Sequence, residues 1–230
     1  MTTTAIAVGG HIGDMELTAG PTLAKVVLEG GRAIIIDCTY GERGHPKLAP
    51  TVYREQKLHE GQHFATSIGA EFIALDYSDG FLPDSEEVAE QIAAVIRSSK
   101  PDLLITHWLR SMHRDHERAA QAALRGAFLA SLPLEGIADP RHSVPRILHT
   151  ENWEDMEGFE ADTYFEIPED AYQRWRTGID EHAFARGETY GFRFIDYYSA
   201  LMQVKGCLAG VQRAAAFKSA AIEKFALAGP

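Results

Sequence analysis

At 230 residues the chain is long enough for one large domain, and 45% hydrophobic with 24% charged residues is the balance of an ordinary globular protein. Its 22 basic residues against 33 acidic ones leave a formal charge of −11, which argues against a nucleic-acid or anionic-membrane surface. No apolar run approaches the ~20 residues of a membrane span, and the start, Met1-Thr2-Thr3-Thr4, carries no basic signal-peptide region. Cys38 and Cys207 are too few for a disulfide framework and sit in apolar company, so a cytoplasmic protein with reduced, partly buried thiols is expected.

In chain order, the apolar stretch Thr4-Ala5-Ile6-Ala7-Val8 predicts a first strand. It runs into Gly9-Gly10-His11-Ile12-Gly13-Asp14-Met15-Glu16-Leu17, a strand-to-helix turn of the kind that places ligand-binding residues at the carboxyl edge of an open α/β sheet. A helix over Thr22 to Leu28 follows, with Pro21 in its first turn and Gly30-Gly31 ending it. Ala33-Ile34-Ile35-Ile36-Asp37-Cys38 reads as a second strand, its unbroken apolar run suiting a parallel strand covered on both faces. After the loop Thr39 to Pro46 comes a helix from Tyr53 to Ile68, rich in exposed charge, and a third strand over Glu71 to Leu75. A further loop, Asp76 to Pro83, leads to a helix from Glu86 to Ser98 that Asp84 or Ser85 caps, with Glu87 placed for a capping box. Leu103-Leu104-Ile105-Thr106 is the fourth strand. This alternation predicts a Rossmann-like, mainly parallel α/β sheet flanked by helices.

The fourth strand runs into His107-Trp108-Leu109-Arg110-Ser111-Met112-His113-Arg114-Asp115-His116, at the start of a helix ending near Leu129. Pro133 to Arg146 is loop-rich. Short strands are expected at Arg146 to His149 and Thr163 to Ile167, and the chain from Glu169 onward reads as a helical C-terminal portion, Ala-rich between Ala214 and Ala228. With no repeat, linker or low-complexity tract, residues 1–230 form one domain.

The chemistry gathers at two strand ends. His11 and Asp14 stand three apart at the first, and His113 and His116 three apart at the fourth, where both can face one side. In a parallel sheet these ends share one edge, so a His-Asp-His set with an open fourth position suits a catalytic Zn2+, while Fe2+ or Mn2+ accepts similar ligands. The structural alternative is that His113 and His116 only decorate a helix N-terminus. Glu151-Asn152-Trp153-Glu154-Asp155 and Asp196-Tyr197-Tyr198 are aromatic and acidic clusters that carry no specific role from sequence.

On these residues the chain resembles the PIG-L (LmbE-like) family of zinc-dependent N-acetylglucosaminide deacetylases. The family's first motif, Ala-His-Pro-Asp-Asp, corresponds to Gly10-His11-Ile12-Gly13-Asp14, with Glu16-Leu17 matching its tail. Its His-Pro-Asp-His motif corresponds to His113-Arg114-Asp115-His116, and Gly41 to Gly44, Arg54, Asp79-Gly80 and Pro101-Asp102 match further landmarks in order. The resemblance covers about residues 4 to 130. It implies that His11, Asp14 and His116 hold the zinc, that His113 is the second catalytic group, and that Asp115 orients a neighbouring histidine. It also implies that Glu42 and Arg54 contact substrate. The departure is Gly13, where the family carries the aspartate that takes a proton from water, a loss worth typically about 10²–10⁴-fold in rate. Three accounts follow: Asp115, Glu16 or Glu42 takes the base role; His113 serves as base and acid; or the chain binds metal with little activity. The function implied is a zinc-dependent hydrolase removing an N-acyl group, acetyl first, from an amino sugar or related small conjugate, in a chain that forms a homo-oligomer. The alternatives are a non-catalytic metal-binding homologue that holds a sugar-like ligand, and a metal-dependent esterase or other amidase.

Overall fold

The structure, a computed structural model, describes residues 2–133, 139–155 and 157–220. Five strands alternate with helices: β1 (Thr4–His11), α1 (Asp14–Thr18), α2 (Gly20–Leu28), β2 (Arg32–Thr39), α3 (Pro50–Ile68), β3 (Glu71–Tyr77), α4 (Glu86–Ser99), β4 (Leu103–Thr106), α5 (Arg114–Ser131) and β5 (Arg146–Thr150). The chain continues as β6 (Thr163–Glu166), α6 (Glu169–Ile179), α7 (Phe194–Ala209) and β7 (Ala214–Ser219).

The seven strands form one sheet in the order β3-β2-β1-β4-β5-β7-β6, with β1 to β5 parallel and β7 antiparallel to both its neighbours. The apolar runs of β1 and β2 are what this arrangement needs, because both faces of the sheet are covered. Ala5, Ala7, Ala33 and Ile35 face a core built with α1, α2, α3, α6 and α7. Ile6, Val8, Ile34 and Ile36, one residue out of step, face a core built with α4 and α5. The strand order reverses at β1, whose neighbours are β2 on one side and β4 on the other. At such a switch point the loops leaving the two strands diverge, and the crevice between their carboxyl ends receives ligands. His11 ends β1 and His107 immediately follows β4.

Trp175, fully buried on α6, ties the C-terminal half to this edge by donating its indole N–H to the Glu16 carbonyl at 2.8 Å. Among the described residues no helix is long and apolar enough to cross a membrane.

The structure departs from the sequence-based expectations in the C-terminal portion. Ala214–Ser219 is a strand, slotted between β5 and β6 with Ala214 to Phe217 buried. Alanine favours a helix in isolation, but small side chains fit the crowded middle of a sheet, and tertiary pairing overrides propensity. The rest of the Ala-rich run, from residue 221, lies outside the described residues, as do residues 134–138 of the loop-rich stretch. Cys38 is buried as expected, whereas Cys207 is exposed on α7. Ser85 occupies the α4 cap position without a side-chain cap bond. The helix α3 is not a solvated charged helix throughout, since Lys57 and Glu60 share its buried stripe with Tyr53, Gly61, Phe64, Ala65 and Ile68.

Candidate metal centre

At the crevice between β1 and β4, three side-chain atoms form a nearly equilateral triangle. His11 Nδ1 lies 3.1 Å from Asp14 Oδ2, His116 Nε2 lies 3.2 Å from Asp14 Oδ2, and His116 Nε2 lies 3.2 Å from His11 Nδ1. A tetrahedral ion with bonds of 2.0–2.1 Å needs its ligand atoms roughly 3.3–3.4 Å apart, so one divalent ion fits the triangle with its fourth position open. Local structure sets the spacing. β1 delivers His11 at its last residue, and Gly13, at φ +112°, turns the chain so that Asp14 opens α1 and faces back. The Asp14 carboxylate also accepts the His11 backbone N–H at 2.8 Å. His116 enters from the first turn of α5.

Each ligand histidine has an acid against its other nitrogen. His116 Nδ1 lies 3.1 Å from Asp155 Oδ1, and His11 Nε2 lies 3.2 Å from Asp79 Oδ1 and 3.5 Å from Asp115 Oδ2. Acids behind metal-ligating histidines fix the ring and raise its basicity. His107 belongs to the same framework: its Nε2 accepts the Gly10 N–H at 3.0 Å and lies 3.2 Å from Asp14 Oδ2, so that with Asp14 and His116 it forms a second group able to hold a metal, and its Nδ1 meets Asp155 Oδ2 at 3.0 Å. It stacks on His116 with ring centroids 4.0 Å apart.

The charge balance of these groups favours a cation. Burial opposes charge on His116, but Asp14 and Asp155 overcome it and push its pKa up to about 9. Burial likewise opposes charge on His11, yet Asp14, Asp115 and Asp79 raise it well above the ordinary value. Asp14 is held far below the carboxylate range, against burial, by His116 and His11. The field that retains protons on both rings is one that a divalent ion would satisfy by displacing them.

The triangle opens on a cavity of about 470 Å³ whose wall includes His113, Lys57, Asn152, Trp153, Glu154 and Phe184. His113 caps α5, its Nδ1 accepting the Asp115 N–H at 3.3 Å, so the neutral ring carries its proton on Nε2. Burial and the neighbouring His11 and His116 lower its pKa, which keeps it neutral.

The other expected site residues lie further back. Asp115 is fully buried, and its carboxylate accepts the backbone N–H groups of Gly80 at 2.6 Å and Leu82 at 3.2 Å. Glu42 accepts from the Asp79 N–H at 3.0 Å and the Ser78 hydroxyl at 3.3 Å. Arg54 pairs with Asp76 at 2.9 Å and stacks over the Tyr40 ring at 4.1 Å. Neither Glu42 nor Arg54 is among the residues lining the cavity. Nor is Glu16, whose Oε2 accepts the Gly13 N–H at 2.8 Å and whose burial lifts its pKa to about 7. Besides Asp14, the cavity carboxylates are Asp79 and Glu154.

Sequence reasoning left His107, Asp79, Glu154, Asp155 and Lys57 without roles. His107 could have been found from its place one residue past β4, and Lys57 from its place on the apolar stripe of α3. Asp155 comes from an irregular loop and offers no such signal.

Gly13 is more than an absent side chain. A Cβ there would fall 2.5 Å from Phe184 Cζ and 2.6 Å from Phe184 Cε1, in a backbone region that L residues rarely adopt. Gly13→Asp is therefore expected to destabilise the metal-free protein by about 2 kcal/mol or more, read from urea unfolding, with Phe184→Ala in the same chain recovering part of the loss. Asp155→Asn is expected to weaken divalent-metal affinity roughly 10–100-fold, measured by competition with a chromophoric chelator. Metal uptake at pH 7 should release protons, because His116 must lose one from Nε2 to ligate. Apparent affinity should then rise with pH up to about 9, as calorimetry in buffers of different ionisation enthalpy would read.

Comparison with known proteins places the chain in a family. The sequence profile of the PIG-L family, described as GlcNAc-PI de-N-acetylase, matches residues 6–127. The 1D-myo-inositol 2-acetamido-2-deoxy-alpha-D-glucopyranoside deacetylase of Streptomyces griseus is 28% identical over 193 residues, covering 70% of this chain and 58% of that protein. The chain spans about half the length of the curated relatives it matches. Among solved structures, GalB, the 4-carboxy-2-hydroxymuconate hydratase from Pseudomonas putida KT2440, shares the fold with a TM-score of 0.86 at 18% identity, over 97% of this chain and 100% of that one. The N,N'-diacetylchitobiose deacetylase of Pyrococcus horikoshii shares it with a TM-score of 0.76 at 19% identity, over 94% and 83%. With the family profile covering more than half of its length, the chain belongs to the PIG-L family.

Proposed function

We propose that the chain is a zinc-dependent hydrolase that removes an N-acyl group, acetyl first, from an amino sugar or a related small conjugate. The observation that carries this reading is the triangle of His11 Nδ1, Asp14 Oδ2 and His116 Nε2, open on a cavity whose wall also presents His113. The names of the deacetylase relatives support it. Zn2+ held by the triangle would polarise an amide carbonyl and acidify a water.

The protein's own part is divided among four residues. His113, with Nδ1 committed to the Asp115 N–H, directs Nε2–H at the oxygen on which negative charge develops. Asp115 acts as a positioning residue, because its backbone fixes that tautomer and its carboxylate holds the 80–82 loop in place. Glu154 lines the cavity, and burial raises its pKa, which suits a group that takes a proton from water and passes it to the leaving amine. Asp79, turned toward His11 Nε2, supports the ligand rather than the water.

Gly13 favours a second reading, in which the reaction needs no carboxylate at that position. Addition of water to an unsaturated carboxylate, the class of reaction named for the Pseudomonas putida neighbour, is the alternative, and that neighbour shares the fold over its whole length.

Zinc-loaded protein should release acetate from N-acetylglucosamine derivatives, with His113→Ala and Glu154→Gln each lowering kcat by about 10²–10⁴-fold. Full metal occupancy with no acetate release across a broad N-acyl panel would overturn the hydrolase reading. Loss of diene absorbance from muconate-type carboxylates would then select the second.

A further inference from the structure

A lysine stands beside the place that a side chain at position 13 would take. Lys57 is 4% exposed on the buried stripe of α3 and lines the same cavity as the ligand triangle. Its Nζ would lie 3.1 Å from a Cβ on Gly13, and its Cε 3.7 Å from a Cβ on Gly41. The ammonium sits over the Phe184 ring at 4.1 Å and farther from that of Tyr53, at 5.9 Å. Burial lowers its pKa while Glu60, Glu16, Asp14 and Asp37 act on it through space in the opposite direction, and among the described residues none of these carboxylates forms an ion pair with it.

This arrangement calls for an anion. A buried ammonium with no carboxylate in contact is costly, and ring faces and more distant acids compensate only in part. The cost of stripping water from the lysine has thus been met in the fold, and an incoming negative group would gain a charge-assisted bond in a desolvated place. Gly13, Phe184 and Lys57 work as a set. The missing Cβ admits the Phe184 ring, and the ring supports the Lys57 ammonium over it.

We infer that Lys57 forms an anion subsite in the cavity, so that the substrate is a small molecule bearing a carboxylate close to its reacting group. The inference rests on reading the cavity as the substrate site, under either reaction proposed above. Lys57 is then a specificity-determining residue that favours an acidic conjugate over a neutral one.

The test is calorimetric titration of the zinc-loaded protein with acetate, malonate, succinate and glutarate at fixed pH and ionic strength. Acetate offers one carboxylate, for the metal, and the diacids offer a second at increasing reach. At least one diacid is expected to bind roughly tenfold to a hundredfold more tightly than acetate. Lys57→Met should abolish that advantage with metal content and acetate affinity unchanged, and Lys57→Arg should retain part of it. Equal binding of acetate and all three diacids by the unaltered protein would overturn the subsite without need of any variant. So would an advantage that survives Lys57→Met, or Lys57→Gln should the first fail to fold. Because binding is read without turnover, a diacid advantage with no acetate release sustains the subsite and rejects the hydrolase. Acetate release with no diacid advantage does the reverse.

Discussion

Asp155 holds His107 on one carboxylate oxygen and His116 on the other, at 3.0 and 3.1 Å, with no side-chain exposure of its own, and the candidate metal centre is arranged around that contact. A buried acid must be matched by cations or N–H donors, and here two imidazoles supply the match. The consequence spreads outward. His107, once fixed, offers Nε2 to the Gly10 N–H and pins the end of β1. His116, once fixed, turns Nε2 toward Asp14. One loop residue therefore sets the spacing of ligands delivered by two different strand ends, and the stacking of the two rings at 4.0 Å follows from their shared partner.

Much of this was legible in the sequence, and the division between legible and hidden is physical. The parallel half could be read because its signals are local. Ile34-Ile35-Ile36 must be covered on both faces, Gly30 and Gly69 end helices, and His11-Asp14 and His113-His116 are short-range spacings at strand ends. Asp155 and β7 were hidden because their meaning depends on partners far along the chain. Asp155 gains its role only from His107 and His116, some 40 residues earlier, and Ala214–Ser219 becomes a strand only because β5 and β6 leave a gap for it. Lys57 was misread for another reason. A helix of mean polar character conceals a buried charged face unless its stripe is traced residue by residue.

The two halves of the chain divide the labour. His11, Asp14, His113 and His116 all fall within residues 6–127, the segment the family profile matches. Asn152, Trp153, Glu154, Phe184, Tyr190, Phe192 and Phe194, which line one part of the cavity wall, fall beyond it. Trp153 stacks on Phe192 at 5.1 Å, and Phe184 meets Phe194 edge to face at 5.3 Å, giving that wall an aromatic character the ligand edge lacks. The segment that the family profile matches thus holds the side chains that could take a metal ion. The aromatic wall beyond residue 127 and the Gly13 turn that admits Phe184 meet at this one cavity.

The insertion of β7 between β5 and β6 bears on the order in which the centre can be completed during synthesis. The loop carrying Asp155 leaves β5 and enters β6, and these strands are joined only through β7, whose Phe217 carbonyl also accepts the N–H of Asp162 at 3.0 Å. The same loop is also held from α7, where the Tyr198 hydroxyl accepts the Trp153 N–H at 3.3 Å and Lys205 pairs with Glu151 at 2.8 Å, so the brace for His116 is fixed by elements that all follow it in the chain. Closing the sheet from its C-terminal end is a long-range step, slow to form and early to open. Completion of the candidate centre is in this way coupled to the docking of α7 and β7 on the loop that carries Asp155.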